Sequence, residues 1–309
     1  MLGPGEDAGP RTPAEPDFGT PCTDPHVAMT VQDRSSTGVG QIRRFQLPSL
    51  EPCRESALAR AHASFGSEVY SITGLPDGTE AVGVNDAVLR LDAEGFPLWR
   101  QQLDRGGAFH PLELFVVAVG GADRIAAAYW GSSTTATGML LLDLDGAVVH
   151  EWTEGFSGAN SFAPDPATPG NVLVSRYGDI QTTPLDTATT RLADGPELLP
   201  RSATHGSLIT IDTDPTTGRA VIAYQMGVAD FTPGGTLRGP VPCATPCNGF
   251  HAATWDPTDS DAVLALCIDA DAGRTRHLVR APLDGSACEL AFDGTFLDNG
   301  LPTEIAIVP

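Results

Sequence analysis

The sequence predicts an all-β fold: a six-bladed β-propeller with four antiparallel strands per blade, its last blade closed by N- and C-terminal strands. Three observations carry that expectation. One local pattern recurs along the chain, an apolar strand, a Pro/Asp/Gly turn and a second strand rich in Ala, Val, Ile and Leu. Helical periodicity is nearly absent, Arg54 to His62 being the one candidate stretch, so a sheet with crossover helices is disfavoured. The chain also ends on Thr303 to Val308, which reads as the first strand of a unit whose other strands must come from elsewhere.

The turns fall at Pro76-Asp77-Gly78, Gly120 to Asp123, Asp165 to Gly170, Asp214 to Gly218 and Asp256 to Asp261. From positions 76, 120, 165, 214 and 256 the steps are 44, 45, 49 and 42 residues. A second turn follows in most units, at Ala93-Glu94-Gly95, Asp145-Gly146, Gly234-Gly235 and Asp284-Gly285, which makes about four short strands per unit. For the closing blade, residues 27–31, 39–45 and 57–61 are expected to supply the second, third and fourth strands beside Thr303 to Val308. Pairing the termini in this way removes exposed sheet edges. The expected division is a Pro/Gly tether over 1–26 and a single propeller domain over 27–309, the first 26 residues holding six prolines and four glycines.

Composition narrows the function classes. With 39 acidic against 18 basic residues the formal net charge is −21, which makes nucleic acid and anionic membrane surfaces poor partners. All 18 basic residues are arginine, so chemistry that needs a lysine, including Schiff bases and a phosphate-loop lysine, is excluded. Every apolar run is interrupted well short of the eighteen residues a transmembrane segment needs.

Six cysteines, Cys22, Cys53, Cys243, Cys247, Cys267 and Cys288, lie in or beside Gly/Pro-rich loops, an even count that suits disulfides better than a metal cluster. Cys22 and Cys53 map to one end of the closing blade and are expected to pair. Proximity suggests Cys243 with Cys247 and Cys267 with Cys288, although second and fourth strands lie about 9.6 Å apart, beyond comfortable disulfide reach. Oxidised cysteines imply export, to the periplasm, the cell surface or the medium, with any export signal already removed. The tether resembles the start of mature bacterial lipoproteins, without the lipid-bearing cysteine, so a lipid anchor belongs to the expectation.

The segments VLRLDAEGFPLWR (88–100) and MLLLDLDGAVVHEW (139–152) resemble the outer hairpins of PQQ-like and arylsulfotransferase-like propellers, in which an acidic-Gly turn leads into an aliphatic strand ending in Trp. That resemblance implies propeller blades and, for the arylsulfotransferase-like family, histidines in the central channel. The adjacent His-Asp or His-His-Asp pair of that family has no counterpart here, and the resemblance implies no quinone cofactor. Trp99 and Trp152 are expected to pack between blades.

In a propeller the first strand of each blade lines the axis, and the loop leading into it opens on the face that binds ligands. His110, Asn160, His205 and His251 are expected at four successive entrances, with His62 a looser fifth. Converging imidazoles there could hold a metal or act as base or nucleophile; loop residues that merely satisfy backbone groups are the competing reading. His150 and His277 fall in outer strands. Asp143/Asp145, Asp212/Asp214, Asp256/Asp259/Asp261 and Asp269/Asp271 offer oxygen ligands suited to calcium, but none completes an EF-hand, and Asx turns account for them more simply. No G-x-S-x-G elbow or strand-linked G-x-G-x-x-G fingerprint occurs. The leading expectation is an exported scaffold that binds a protein or small-molecule ligand on its axial face. The rival is a periplasmic or extracellular transferase or lyase using channel histidines.

Overall fold

The computed structural model describes residues 21–33, 40–57, 69–84, 87–93, 95–103, 109–131, 137–201, 206–232, 237–243, 247–269, 275–293 and 300–309. In chain order, β1 (His26–Asp33), β2 (Gln41–Gln46) and β3 (Glu51–Ala57) are followed by five four-stranded sets. These are β4 (Val69–Gly74), β5 (Glu80–Val84), β6 (Ala87–Leu91) and β7 (Pro97–Gln102); β8 (Phe109–Val119), β9 (Ala122–Gly131), β10 (Gly138–Leu142) and β11 (Val148–Trp152); and β12 (Ala159–Pro164), β13 (Asn171–Arg176), β14 (Asp179–Pro184) and β15 (Glu197–Leu199). Then come β16 (Leu208–Asp214), β17 (Arg219–Tyr224), β18 (Gly227–Phe231) and β19 (Arg238–Val241), and β20 (Gly249–Trp255), β21 (Ala262–Asp269), β22 (Thr275–Pro282) and β23 (Glu289–Phe292), before the last strand β24 (Gly300–Val308). Each set is an antiparallel meander, and the sixth sheet runs β24-β1-β2-β3. The fold is a six-bladed β-propeller, closed in its last blade by the terminal strands as the sequence predicts.

The described residues form two compact units, one drawn from Met1–Glu154, Thr187–Arg191 and Ala306–Pro309, the other from Gly155–Asp186 and Leu192–Ile305. Within each unit neighbouring sheets stack face to face. That packing is why the second and third strands are rich in apolar residues: every residue of β5, β10, β17 and β18 is buried, the charged Glu80, Arg219 and Asp230 included, whereas the outer strand β11 exposes Val148 and Val149. One core layer joins β4–β7 to β8–β11 through Leu75, Val88, Trp99, Leu114 and Leu140, and another joins β16–β19 to β20–β23 through Val221, Phe250, Ala253 and Val279. Trp99 and Trp152 are buried, and Trp99 packs between blades as expected, its indole donating to Leu144 O of the adjoining sheet (2.8 Å).

The predicted turns separate the first two strands of the five sheets other than the closing one. Three share an Asp-Pro start in which the aspartate caps its own turn: Asp165, Asp214 and Asp256 accept from the backbone N–H of Ala167 (2.9 Å), Thr216 (2.8 Å) and Thr258 (2.8 Å). Asp143 likewise accepts from Ala147 N at 2.8 Å. The turn reading of these carboxylates holds, and among the described residues no three His, Cys, Asp or Glu side chains converge as a metal site.

Three expectations need correction. The fourth strand of the closing sheet is Glu51–Ala57, not 57–61, and it takes up the start of the stretch read as a helix candidate; residues 58–62 lie outside the described residues. Cys53 accordingly sits in β3 itself, and its bond to Cys22 (Cα–Cα 5.3 Å) forms as expected. The remaining cysteines pair Cys243–Cys288 and Cys247–Cys267 rather than by sequence proximity. Cys267 on β21 is two strands away from Cys288 beside β23, and the nearer partner for Cys267 is the segment that leads into β20, where Cys247 lies. Cys243, at the end of β19, faces the next sheet and reaches Cys288. Among the described residues no helix is long and apolar enough to cross a membrane.

Candidate functional site

The first strand of each complete sheet carries a β-bulge at the same place, where one residue has no partner on the second strand. The pairs flanking it are Val69↔Val84 and Ser71↔Gly83, Pro111↔Tyr129 and Glu113↔Ala128, Ala159↔Arg176 and Ser161↔Ser175, Leu208↔Tyr224 and Thr210↔Ala223, and Phe250↔Cys267 and Ala252↔Leu266. The extra residues are therefore Tyr70, Leu112, Asn160, Ile209 and His251. Asn160 and His251 occupy equivalent positions. His110 does not: its backbone pairs with Trp130 two residues earlier in β8, inside the strand, and its side chain lies outside the described residues. His205 and His62 also lie outside them.

Asn160 is exposed and donates to Leu208 O (2.8 Å), tying the start of β12 to β16. One residue on, the buried Ser161 hydroxyl accepts from Ile211 N (2.8 Å), a second stitch between the same strands. Of the histidines in outer strands, His277 is buried beside Asp293 (3.1 Å), and His150 sits 2.8 Å from Thr189 O.

His251 belongs to a group of polar side chains that the sequence alone does not assemble. Asp212 on β16, His251 on β20, Arg276 on β22 and Glu304 on β24 are each half-buried in the second unit. Thr254 Oγ1 donates to Asp212 Oδ2, and Thr213 N to Asp212 Oδ1 (2.7 Å). Arg276 Nη1 donates to Pro302 O (2.6 Å), anchoring the guanidinium beside β24, and Ile305 N donates to Glu304 Oε1 at 3.1 Å. Asp212 and Glu304 sit on first strands with β20 between them in the sheet sequence, yet the charge of Asp212 acts on Glu304.

Burial sets the ionisation of this group. It lifts Glu304 to about 8, with the Asp212 charge adding to it while the Ile305 N–H and Arg276 pull the other way. Asp212 is raised to about 6 by burial and by Asp214, against the hydrogen bonds from Thr254 and Thr213. His251 is lowered to about 3 by burial and by Arg276, opposed by a hydrogen bond with the Thr303 backbone. At neutral pH the cluster thus combines a protonated carboxyl, a carboxylate, a neutral imidazole and a guanidinium. The available sequence signal is an acid inside an otherwise apolar or hydroxylated strand, Asp212 in LITIDT ahead of the turn residue Asp214, and Glu304 in TEIAIV. Grouping Asp212 with Asp214 as one turn element obscures it, because only Asp214 caps the turn.

No family model matches the chain, and no curated protein matches it. Solved structures share the fold. A protein of unknown function from Bacteroides caccae is 13% identical over 93% of this chain and 99% of its own, with a TM-score of 0.61. A chain of a nidogen/laminin complex is 10% identical over 92% and 98%, with a TM-score of 0.59. A luciferin-regenerating enzyme is 13% identical over 87% and 94%, with a TM-score of 0.55. At these identities the likeness is one of fold, and it extends over nearly the whole length of each chain.

Proposed function

We propose that this protein is an extracytoplasmic binding propeller that holds a small polar ligand against Asp212, His251, Arg276 and Glu304. The observation that carries the reading is the cluster itself. Four polar side chains from the second unit are partly withdrawn from water, and the ionisation of three of them, Asp212, His251 and Glu304, is displaced from its ordinary range. Three disulfides support an oxidising compartment, whether periplasm, cell surface or medium. A lipid anchor remains part of the proposal on the tether composition alone. Protein partners are the other ligand class, and one fold neighbour comes from a protein complex.

The test is a thermal-shift screen of small polar metabolites at pH 6 and pH 9. A ligand of this site raises the melting temperature of the wild type, fails to do so for Arg276→Ala, and still does so for the surface variant Arg191→Ala. A ligand whose effect survives Arg276→Ala, or a screen without any stabilising compound, removes the support for the reading.

One observation favours an enzyme as the second reading. Two neighbouring carboxyls whose pKa values are pushed apart, to about 6 and about 8, are arranged as a base and an acid in many active sites. A transferase or lyase of this design would show a bell-shaped rate profile with limbs near those values, and a flat profile would eliminate it.

A further inference from the structure

Away from that cluster, the β13–β14 hairpin turns through Tyr177 and Gly178, both with left-handed backbone (φ 52° and 94°). Two successive left-handed residues suit Asn-Gly, and a bulky aromatic side chain is a conformational outlier there. Tyr177 is nevertheless 67% exposed, so burial of the ring does not repay that cost. The ring is also held in place. Its hydroxyl is 2.9 Å from Ser157 Oγ, its backbone N–H donates to Gly158 O (3.0 Å), and a Cβ at Gly158 would lie 2.3–2.5 Å from the ring, so the glycine leaves the space the ring lies in. Arg201, itself exposed, runs beside the turn, its Cγ 3.3 Å from a Cβ placed at Gly178.

A strained backbone that presents a fixed, open aromatic face is a feature from which function can be inferred. We propose that Tyr177, Ser157 and Arg201 form a binding subsite for a neutral saccharide. Its apolar C–H face covers the Tyr177 ring, and its hydroxyls take hydrogen bonds from the Arg201 guanidinium and the Ser157 hydroxyl. Charge decides between ligand classes. A cation over the ring meets Arg201, a polyanion meets a chain of net charge −21, and an uncharged ring with one apolar face meets neither penalty. A protein partner is less well served, because the side chains shown beside the Tyr177 turn, Ser157 and Arg201, are polar.

The subsite is independent of the Asp212–Glu304 cluster, and the test separates them. Neutral linear hexasaccharides (β-1,4-glucan, β-1,4-mannan and β-1,4-xylan) and a hexagalacturonate are titrated into the full chain and followed by NMR or calorimetry. At least one neutral oligomer is expected to bind, with Tyr177→Phe retaining affinity within about threefold and Arg201→Ala weakening it by tenfold or more. Tyr177→Asn is the decisive variant: it relieves the turn, so the melting temperature rises or holds while saccharide binding is lost. Absence of binding by all three neutral oligomers, preference for the hexagalacturonate, or unchanged binding in Tyr177→Asn overturns the proposal.

Discussion

Arg44 on β2 and Glu80 on β5 form a buried two-pronged ion pair, Nε to Oε1 at 2.8 Å and Nη2 to Oε2 at 2.6 Å, joining the closing sheet to its neighbour. His26 of β1 lies behind it, with Nδ1 3.1 Å from Asp24 Oδ1 and Nε2 3.9 Å from Glu80. Removing one partner of such a pair strands a buried charge. Glu80→Gln is therefore expected to destabilise the fold by about 3–5 kcal/mol in chemical denaturation, and the double change Arg44→Met with Glu80→Leu by much less. Equal losses for the two variants would show that the pair acts through packing alone.

The same carboxylate predicts an acid limb. Burial opposes its ionisation, but the Arg44 charge and hydrogen bonds, with His26 nearby, outweigh it and bring Glu80 down to about 2. A depressed pKa contributes stability that is complete above the unfolded value of about 4.5 and is lost as pH falls toward 2. Between pH 5 and pH 2 the wild type should lose more stability than Glu80→Gln, and parallel melting curves for the two across that range would contradict the assignment.

Glu304 predicts the opposite sign. Its folded value, about 8, stands above the ordinary 4.5, so its contribution is complete below 4.5 and falls away as pH rises through 8. Glu304→Gln should match the wild type near pH 4 and exceed it in melting temperature at pH 9. A Glu304 carboxyl that titrates near 4.5 by NMR would remove the basis for this prediction.

Non-reducing peptide mapping should recover Cys22–Cys53, Cys243–Cys288 and Cys247–Cys267. The last two close loops of 45 and 20 residues of sequence separation, and chain-entropy arguments put each at about 3–4 kcal/mol. Recovery of a Cys243–Cys247 peptide would refute the pairing, and Cys247→Ser with Cys267→Ser should lower the denaturation midpoint measurably.

Gly146 in the β10–β11 turn has φ 87°, and a Cβ there would stand 2.7 Å from the Trp99 ring of the adjoining sheet. Gly146→Ala is expected to cost more than about 1 kcal/mol, combining backbone strain with displacement of a buried indole. Full stability in the alanine variant would mean that Trp99 can move aside freely.

The amino-acid sequence by itself determined the blade repeat, because the signals involved are local. Turn residues such as Pro76-Asp77-Gly78 and Asp214 to Gly218 act through their own backbone, and apolar runs such as AVLAL in β21 are apolar because sheets cover them on both faces. It also placed the two termini in one closing sheet and paired Cys22 with Cys53, both of which follow from counting strands between the termini, although the fourth strand of that sheet lies at Glu51–Ala57 and not at 57–61. Tertiary structure alone decided the rest. His251 and Asn160 align because a bulge inserts one residue into each first strand, a shift of register that composition does not reveal, and the same shift sets His110 apart. Cys243 meets Cys288, and Asp212 acts on Glu304, because the folding of successive sheets brings together residues 45 and 92 positions apart in the chain. Disulfide reach and the charge of a half-buried carboxyl depend on separation in space, and a repeat whose units are nearly alike along the sequence carries no mark of which members will be neighbours across it.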